Sequence, residues 1–366
     1  MNEIGTTKEE IDTPALLIDL ELMEKNISTM ANFFRGKKSV LRAHTKVHKS
    51  PMLAQKQIAT GARGICCQKV GAAEIMASSG IKNILITNVV ATPSKIDRLV
   101  KLSKLADITV EVDDTTNCEL ISKAAMKEGV TVNVLVDVQI GSGRFGSDPG
   151  EPSLKLVKHV RSLQGLRFKG VMGLDSYLKR VEPRDQRRIQ IKDAQSLLLD
   201  TKRLIEKSGI QVQEVSAGST GTYDVIGNNP EVTEVEAGSY LLMDSVYHEH
   251  VPEFECALTV LTTVISKHPD GNIVLDAGMA SISSAKGPPK LLATDTFDAD
   301  NFEFYQLHAE NTLLKRKNRA KIEVGDKVQL IPSYLDATII RHEKFYGMRK
   351  NRIEQTWPIL TTNAST

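Results

Sequence analysis

Three basic residues recur at every second position in the segment 40–46, which reads VLRAHTK. Because successive side chains of a β-strand point to opposite faces, Arg42, His44 and Lys46 share one face if this segment is a strand. If that face points into a packed interior, the three positive groups need an anionic partner, since unpaired charge is expensive to bury. A phosphorylated cofactor would be such a partner.

Lys46 is the member of this group that could react covalently. A lysine crowded by other cations gives up its proton more readily, and the neutral amine can form a Schiff base with a carbonyl group. The alternative interpretation is an exposed basic loop in which Lys46 and Lys49 are both solvated.

Two further segments contain residue types that bind anions. The segment 216–223 reads SAGSTGTY, in which glycines let backbone N–H groups approach a phosphate and the hydroxyls add donors. The segment 138–146 reads VQIGSGRFG and places Arg144 between glycines, where it could reach a ring nitrogen or a carboxylate. The alternatives are an ordinary tight turn for the first segment and a flexible loop with a solvated arginine for the second.

These segments lie at the ends of predicted strands that alternate with helices. Short β-rich runs are found at 15–20, 39–46, 64–69, 83–88, 108–114, 132–138, 168–173 and 214–219. Helical patterns separate most of them, including a long one near 184–207, and Gly61, Gly80, Gly129, Gly165 and Gly209 are typical of helix ends. Eight such strands favour a closed (β/α)8 barrel with its site at the strand C-termini. An open doubly wound sheet is the alternative, which the lack of a G-x-G-x-x-G after an early strand weakens.

The pattern changes after about residue 255. Runs such as 257–266 and 337–349 read as strands joined by turns, and no long helical pattern separates them. We therefore predict a barrel over 12–255 and an all-β domain over 256–366, on which the N-terminal segment 1–11 could also pack.

The composition is that of an ordinary globular protein and does not point to a macromolecular partner. Of 366 residues, 41% are hydrophobic, and the 47 basic and 45 acidic residues nearly cancel, so nucleic acid and acidic membranes are not expected partners. The four cysteines form no CxxC pair, no segment approaches the length of a membrane span, and the polar start lacks an apolar signal region. We expect a cytoplasmic protein.

Taken together, these motifs resemble the D-threonine aldolase and D-serine dehydratase family of pyridoxal 5′-phosphate (PLP) enzymes. The resemblance covers nearly the whole chain, and its most specific element is RAHTKVHK at 42–49, similar to the family's R-P-H-x-K-T-H-K. It implies an alanine racemase-type barrel with a C-terminal β domain, and a homodimer. In the motif the first lysine binds PLP, so the resemblance places the cofactor on Lys46 and not on Lys49.

The resemblance also implies the rest of the site. Cofactor-binding residues would be Lys46, Arg42, Gln68, Arg144, Ser219, Thr220, Gly221, Thr222 and Tyr240. Lys46 would be the catalytic base as well as the PLP lysine, and His44 or Asp175 could assist proton transfer.

Two departures from the family pattern concern the reaction. Leu174 lies where the family has a tyrosine after the seventh strand. In the β domain the family binds a divalent metal in Ile-Pro-x-His-Cys followed by Cys or Asp, but here Tyr334 replaces the histidine and Asp336 is the remaining ligand. An upstream histidine is replaced by Asn311, which puts the metal in doubt, although His308, His342 and Glu343 could substitute.

The function implied is a PLP-dependent lyase acting on a β-hydroxy-D-amino acid. It would cleave its substrate to glycine and an aldehyde, or remove water and ammonia. One alternative is a PLP-dependent racemase or epimerase that needs no metal. Another is a PLP-binding protein without turnover.

Overall fold

The computed structural model describes residues 3–294, 297–318 and 320–360. The contacts group the chain into two compact units. One, the β unit, contains the described residues up to Thr29 and Ser239–Ile359, and the other, the barrel unit, contains Met30–Gly238 and Leu360. The chain thus starts in the β unit, forms the barrel unit and returns, and the boundary lies earlier than the predicted one after residue 255.

The barrel unit is a closed barrel of eight parallel strands, as predicted. The strands are β2 Val40–His44, β3 Gly64–Cys67, β4 Asn83–Ile86, β5 Asp107–Val112, β6 Val132–Asp137, β7 Leu166–Gly173, β8 Glu214–Ala217 and β9 Glu234–Ala237. The pairing of β2 with β9 closes the barrel, with Arg42 in register with Glu236. The fully buried Cys66, Leu85 and Leu135 form part of its apolar interior with Met172.

Helices follow most of the barrel strands. They are α2 Pro51–Ala59, α3 Val70–Ser78, α4 Pro93–Leu102, α5 Thr115–Glu128, α6 Glu151–Ser162, α7 Arg184–Lys207 and α8 Tyr223–Ile226, and α1 Leu20–Phe34 precedes β2. Helix α5 shows why their ends could be predicted: the Asp114 carboxylate accepts the Thr116 N–H at its start, and Gly129 ends it with φ 66°. None of the helices within the described ranges is both long and apolar enough to cross a bilayer.

The first predicted barrel strand belongs to the other unit. Strand β1, Ala15–Asp19, pairs antiparallel with β10, Leu258–Lys267, and parallel with β16, Lys344–Arg349. The eighth barrel strand is instead β9, which is not among the predicted strands. The error has a physical reason: an apolar run predicts a buried strand, but not which sheet supplies its partners.

The β unit is built on a nine-stranded sheet. Besides β1, β10 and β16 it contains β11 Asn272–Leu275, β12 Lys290–Leu291, β13 Phe302–Leu307, β14 Thr312–Arg316, β15 Lys327–Ile331 and β17 Arg352–Pro358. The unit is mostly β, as predicted for the C-terminal domain, and it also contains the short helices α9, Ser245–His250, and α10, Leu335–Ile339. Helix α10 takes up the start of the run 337–349 that was predicted as one strand.

Candidate active site

Lys46 lies just beyond the C-terminal end of β2. The strand ends at His44, and Lys46 is exposed in the following turn. The Lys46 N–H donates to His44 Nδ1 at 3.4 Å, and His44 Nε2 lies 3.2 Å from Thr87 Oγ1. A Cβ on Gly238 would lie 2.3 Å from the His44 carbonyl oxygen, so only glycine lets the end of β9 approach this turn. The structure therefore brings Lys46 and His44 together at the mouth of the barrel.

The second half of the RAHTKVHK motif holds the turn in place. Lys49 is buried in a left-handed conformation, φ 49°, and its Nζ donates to the Lys46 carbonyl at 2.7 Å. His48 is fully buried, with Nε2 3.1 Å from Gln57 Oε1. Burial lowers the pKa of His48 to about 4, so its ring is neutral at ordinary pH. These contacts give Lys49 and His48 structural roles and leave Lys46 as the lysine presented at the surface.

Arg42 lies inside the barrel and is partnered by a protein carboxylate. Its Nε donates to Glu234 Oε1 at 2.7 Å, and its Nη1 donates to Asn83 Oδ1 at 2.6 Å. Burial opposes the charge of Arg42, but the Glu234 carboxylate raises the pKa of the guanidinium above its ordinary value. Glu234 and Asn83 begin their strands, so the guanidinium points toward the N-terminal ends, away from the mouth. The anionic partner expected from the sequence is therefore Glu234, and not a phosphate.

The loop after β8 forms a network of buried hydroxyl groups with Asp175. The Ser219 N–H donates to Thr222 Oγ1 at 2.8 Å, and Thr222 Oγ1 donates to Asp175 Oδ1 at 3.1 Å. Thr220 and Gly221, between them, are buried as well. Burial raises the pKa of Asp175 to about 7, against the lowering effect of the Thr222 hydrogen bond. The loop predicted to bind phosphate and the predicted proton-transfer residue are thus in direct contact.

The loop that carries Arg144 is internally ordered. Gln139 Oε1 accepts the N–H groups of Gly141 at 2.9 Å and Gly143 at 3.2 Å. Arg144 is exposed, with its guanidinium carbon 4.6 Å from the centre of the Phe145 ring. These bonds hold the loop at the end of β6, where the exposed guanidinium is available to a ligand.

Tyr177 provides a phenol close to the place where the family has its tyrosine. Its hydroxyl donates to the Ile140 carbonyl at 2.7 Å, in the loop that carries Arg144. Leu174, which stands at the family's tyrosine position, is half-buried. The phenol of this segment therefore supports the Arg144 loop.

Three buried carboxyl groups inside the barrel were not predicted as site residues. Burial raises the pKa of Glu111 and Asp137, with further raising by neighbouring carboxylates, and raises that of Glu236 to about 7. Neither oxygen of Glu111 has a hydrogen-bond partner within the described part of the chain. The signal was present in β9, where Glu234 and Glu236 are two positions apart on a strand buried throughout. Such groups are expected to hold protons near neutral pH.

The other predicted residues are distributed over both units. Gln68 is half-buried directly after β3. Tyr240 and Asp336 belong to the β unit, where Tyr240 is fully buried with its ring centre 5.6 Å from that of Phe254. Asp336 lies in the first turn of α10 and is half-buried.

The described residues of the β unit include no cluster of metal-ligating side chains. Among residues 3–294, 297–318 and 320–360, no three His, Cys, Asp or Glu side chains are placed to share an ion. His308 is exposed, and His342 Nε2 donates to the Ser281 carbonyl at 2.7 Å. Metals of this class need several donor groups, so the donor set around Asp336 does not fit one.

Comparison with known proteins agrees with the predicted fold. Residues 18–246 match the alanine racemase N-terminal domain, and residues 257–348 match a serine dehydratase domain. The 3-hydroxy-D-aspartate aldolase of Paracoccus denitrificans is 32% identical over 97% of this chain and 93% of its own. The D-threonine aldolase of an Arthrobacter species is 32% identical over 97% and 94%.

Solved structures show the same similarity. The D-threonine aldolase of Filomicrobium marinum superposes with a TM-score of 0.93 at 33% identity, covering 97% of both chains. A variant of the D-threo-3-hydroxyaspartate dehydratase, solved in the metal-free form, shares the fold with a TM-score of 0.86 at 23% identity, over 97% and 99%. The architecture is that of PLP-dependent enzymes of the alanine racemase type. Within that class, the chain belongs to the D-threonine aldolase and D-serine dehydratase family, whose named members here are lyases.

Proposed function

We propose that this protein is a PLP-dependent lyase that acts on a β-hydroxy-D-amino acid. The observation that carries the proposal is the placement of Lys46, which is exposed at the mouth of the barrel while Lys49 Nζ is bound to the Lys46 carbonyl. The family supports the reaction type, because relatives about one-third identical over nearly the whole chain are aldolases. The outcome would be retro-aldol cleavage to glycine and an aldehyde, or loss of water and ammonia.

The residues at the mouth fit PLP. Lys46 Nζ would be the attachment point for its aldehyde, and the loop 219–222 would hold its phosphate through backbone N–H groups and hydroxyls. Arg144 and Gln68 would face the ring. Arg42 is not part of this set, because its guanidinium is bound to Glu234. When bound, PLP supplies an electron sink for the bond that breaks at the substrate Cα.

Proton transfer would be carried by residues of the chain at stated atoms. Lys46 Nζ would remove or return the proton, and His44 would hold the turn that carries Lys46 through its Nδ1. Asp175, whose pKa is raised to about 7, would keep the phosphate loop in place through Thr222 and hold a proton on its carboxyl group. An acid that is half protonated near neutral pH is suited to this role.

The assignment of Lys46 is tested by trapping the cofactor. Purified protein supplied with PLP should be yellow, and borohydride reduction followed by peptide mass mapping should place the adduct on Lys46. Lys46→Ala should lose both signals, because it removes the amine proposed to bind the cofactor, whereas Lys49→Arg should keep them. A yellow Lys46→Ala protein with an adduct elsewhere would contradict the assignment.

The reaction is tested by product analysis with D-threonine, 3-hydroxy-D-aspartate, D-serine and their L-enantiomers. Aldehyde with glycine indicates the aldolase, and a keto acid with ammonia indicates the dehydratase. A second candidate, a racemase or epimerase, is favoured by one observation, the donor set around Asp336 that does not fit a metal. Interconversion of enantiomers without aldehyde, keto acid or ammonia would replace the lyase with that reaction. We also propose a homodimer, which light scattering of the purified protein would test.

A further inference from the structure

An ammonium group lies beside the residue that replaces the family's metal-binding histidine. Lys286 Nζ is 3.7 Å from the centre of the Tyr334 ring, within the β unit. A cation over an aromatic face is attracted by the ring quadrupole, and the attraction grows when the pair is partly removed from water. Both residues are half-buried. The position therefore holds a positive charge supplied by the chain itself.

The segment that carries Lys286 is fastened to the segment that carries Tyr334. Ser333 Oγ donates to the Gly287 carbonyl at 2.6 Å, and the Ser283 N–H donates to Thr338 Oγ1 at 3.1 Å. Bonds on both sides of Lys286 thus connect its loop to α10 and to the residue before Tyr334. The ammonium is held over the ring by this framework and is not a surface lysine that happens to point there.

The donors that a divalent ion would need are replaced or already engaged. Asn311 stands where the family has a histidine, and its Nδ2 donates to the Leu275 carbonyl at 3.3 Å. Tyr334 brings a phenol, which is a poor substitute for an imidazole as a metal ligand. A divalent ion at the position of Tyr334 would also be repelled by the ammonium of Lys286, which lies 3.7 Å from the ring centre, since like charges at short range are unfavourable.

We propose that this chain binds no divalent metal at the position where its family does, because Tyr334 and Asn311 replace the family's ligands and the ammonium of Lys286 lies beside Tyr334. This deepens the proposed function and depends on it only where turnover is measured.

The first test measures metal directly and requires no turnover. Holoenzyme prepared without chelator should contain far less than one Mn, Zn, Co or Mg per chain by mass spectrometry, and titration with Mn²⁺ should show no site by calorimetry. If the lyase assay succeeds, EDTA should leave its rate unchanged. A stoichiometric metal, or a rate that EDTA abolishes and Mn²⁺ restores, would overturn the proposal.

The second test rebuilds the metal site. Tyr334→His combined with Lys286→Met restores a ligand and removes the repelling charge, so we expect Mn²⁺ affinity to rise roughly tenfold or more. Adding Asp336→Asn should remove the gain. Lys315→Met, which removes an exposed lysine of β14, is the matched control and should bind Mn²⁺ no better than wild type. If the double variant gains no affinity although circular dichroism shows it folded, Lys286 does not occupy the metal's place.

Discussion

Asp175 couples proton binding to the phosphate loop at the scale of a single residue. Its carboxyl group is fully buried and accepts a hydrogen bond from Thr222, and burial raises its pKa from 3.8 to about 7. The nearby charge of Glu236 contributes to this rise. The folded protein therefore binds this proton more tightly than the unfolded chain does, and the stability of the fold must depend on pH.

The sign of this dependence follows from the direction of the shift. Since the folded pKa lies above the unfolded one, the contribution is present below about pH 4 and is lost as pH rises through about 7. Asp175→Asn should therefore reduce the loss of stability between about pH 5 and about pH 8 by roughly 2–3 kcal/mol, measured by urea unfolding. Exposed Asp193→Asn is the control and should leave the pH profile of wild type unchanged. An Asp175→Asn profile parallel to that of wild type would show that the carboxyl group is not protonated in the fold.

The position of Lys46 just after a barrel strand could be predicted from the sequence, and the partners of the buried charged groups could not. Lys46 lies in a local motif, so its neighbours His44, His48 and Lys49 could be read together. The partner of Arg42 is Glu234, almost 200 positions away, and the pairing exists only because β2 meets β9 when the barrel closes. Glu111 lies in a run of alternating residues that is equally typical of a strand with one solvated face.

At the scale of elements, a buried ion pair joins the two strands that close the barrel. Arg42 of β2 is 2% exposed and Glu234 of β9 is 0% exposed. Arg63 also contacts Glu234, at 3.5 Å, and contacts Glu214 of β8 at 2.7 Å. Because a buried charge without its partner is costly, these strands depend on both members of the pair.

Removing one partner of the buried pair should therefore destabilise the fold more than removing one partner of a surface ion pair. We expect Glu234→Gln to lower the free energy of unfolding by about 3–5 kcal/mol, because the Arg42 guanidinium stays buried without its counter-charge. Replacing both residues, Arg42→Met with Glu234→Leu, should cost less than the single change. Arg203→Ala, which breaks an ion pair with Glu231 at the surface, should cost less than about 1 kcal/mol in the same urea titration. If Glu234→Gln and Arg203→Ala lowered the free energy of unfolding equally, the role of the buried pair would be refuted.

Element types were largely predictable, while the assignment of elements to sheets was not. The periodicity of apolar residues predicted most of the barrel strands and the long helix α7, Arg184–Lys207. Strand β1 contains a continuous apolar run, which indicates burial on both faces but does not indicate which strands pair with it. It pairs parallel with β16 and antiparallel with β10, and this arrangement depends on the rest of the chain.

At the scale of the whole molecule, the two units can be followed separately. The only tryptophan, Trp357, lies in β17 of the β unit and is 2% exposed. Its fluorescence therefore reports on that unit, while bound PLP would report on the barrel unit. Two units of this size need not unfold in one step.

A change in β1 should act on the unit that contains its partners. Leu16 is 0% exposed and in register with Val260 and Phe345, so Leu16→Ala should destabilise the β unit by about 2–5 kcal/mol. The fluorescence transition of Trp357 should move to lower urea concentration. Ile265→Ala, at an exposed position of β10, should change the free energy of unfolding of the β unit by less than about 0.5 kcal/mol. An unchanged Trp357 transition in Leu16→Ala would argue against the observed place of β1.

The place of β1 also sets the order of events during synthesis. Ile18 leaves the ribosome before the barrel sequence, and its partners Leu258 and Gly347 are translated only after it. At about 5–20 residues per second the strand waits on the order of tens of seconds without its sheet. During that time an apolar strand with unpaired edges is open to chaperones and to other nascent chains. The fold thus leaves an apolar strand without its sheet until the barrel has been synthesised.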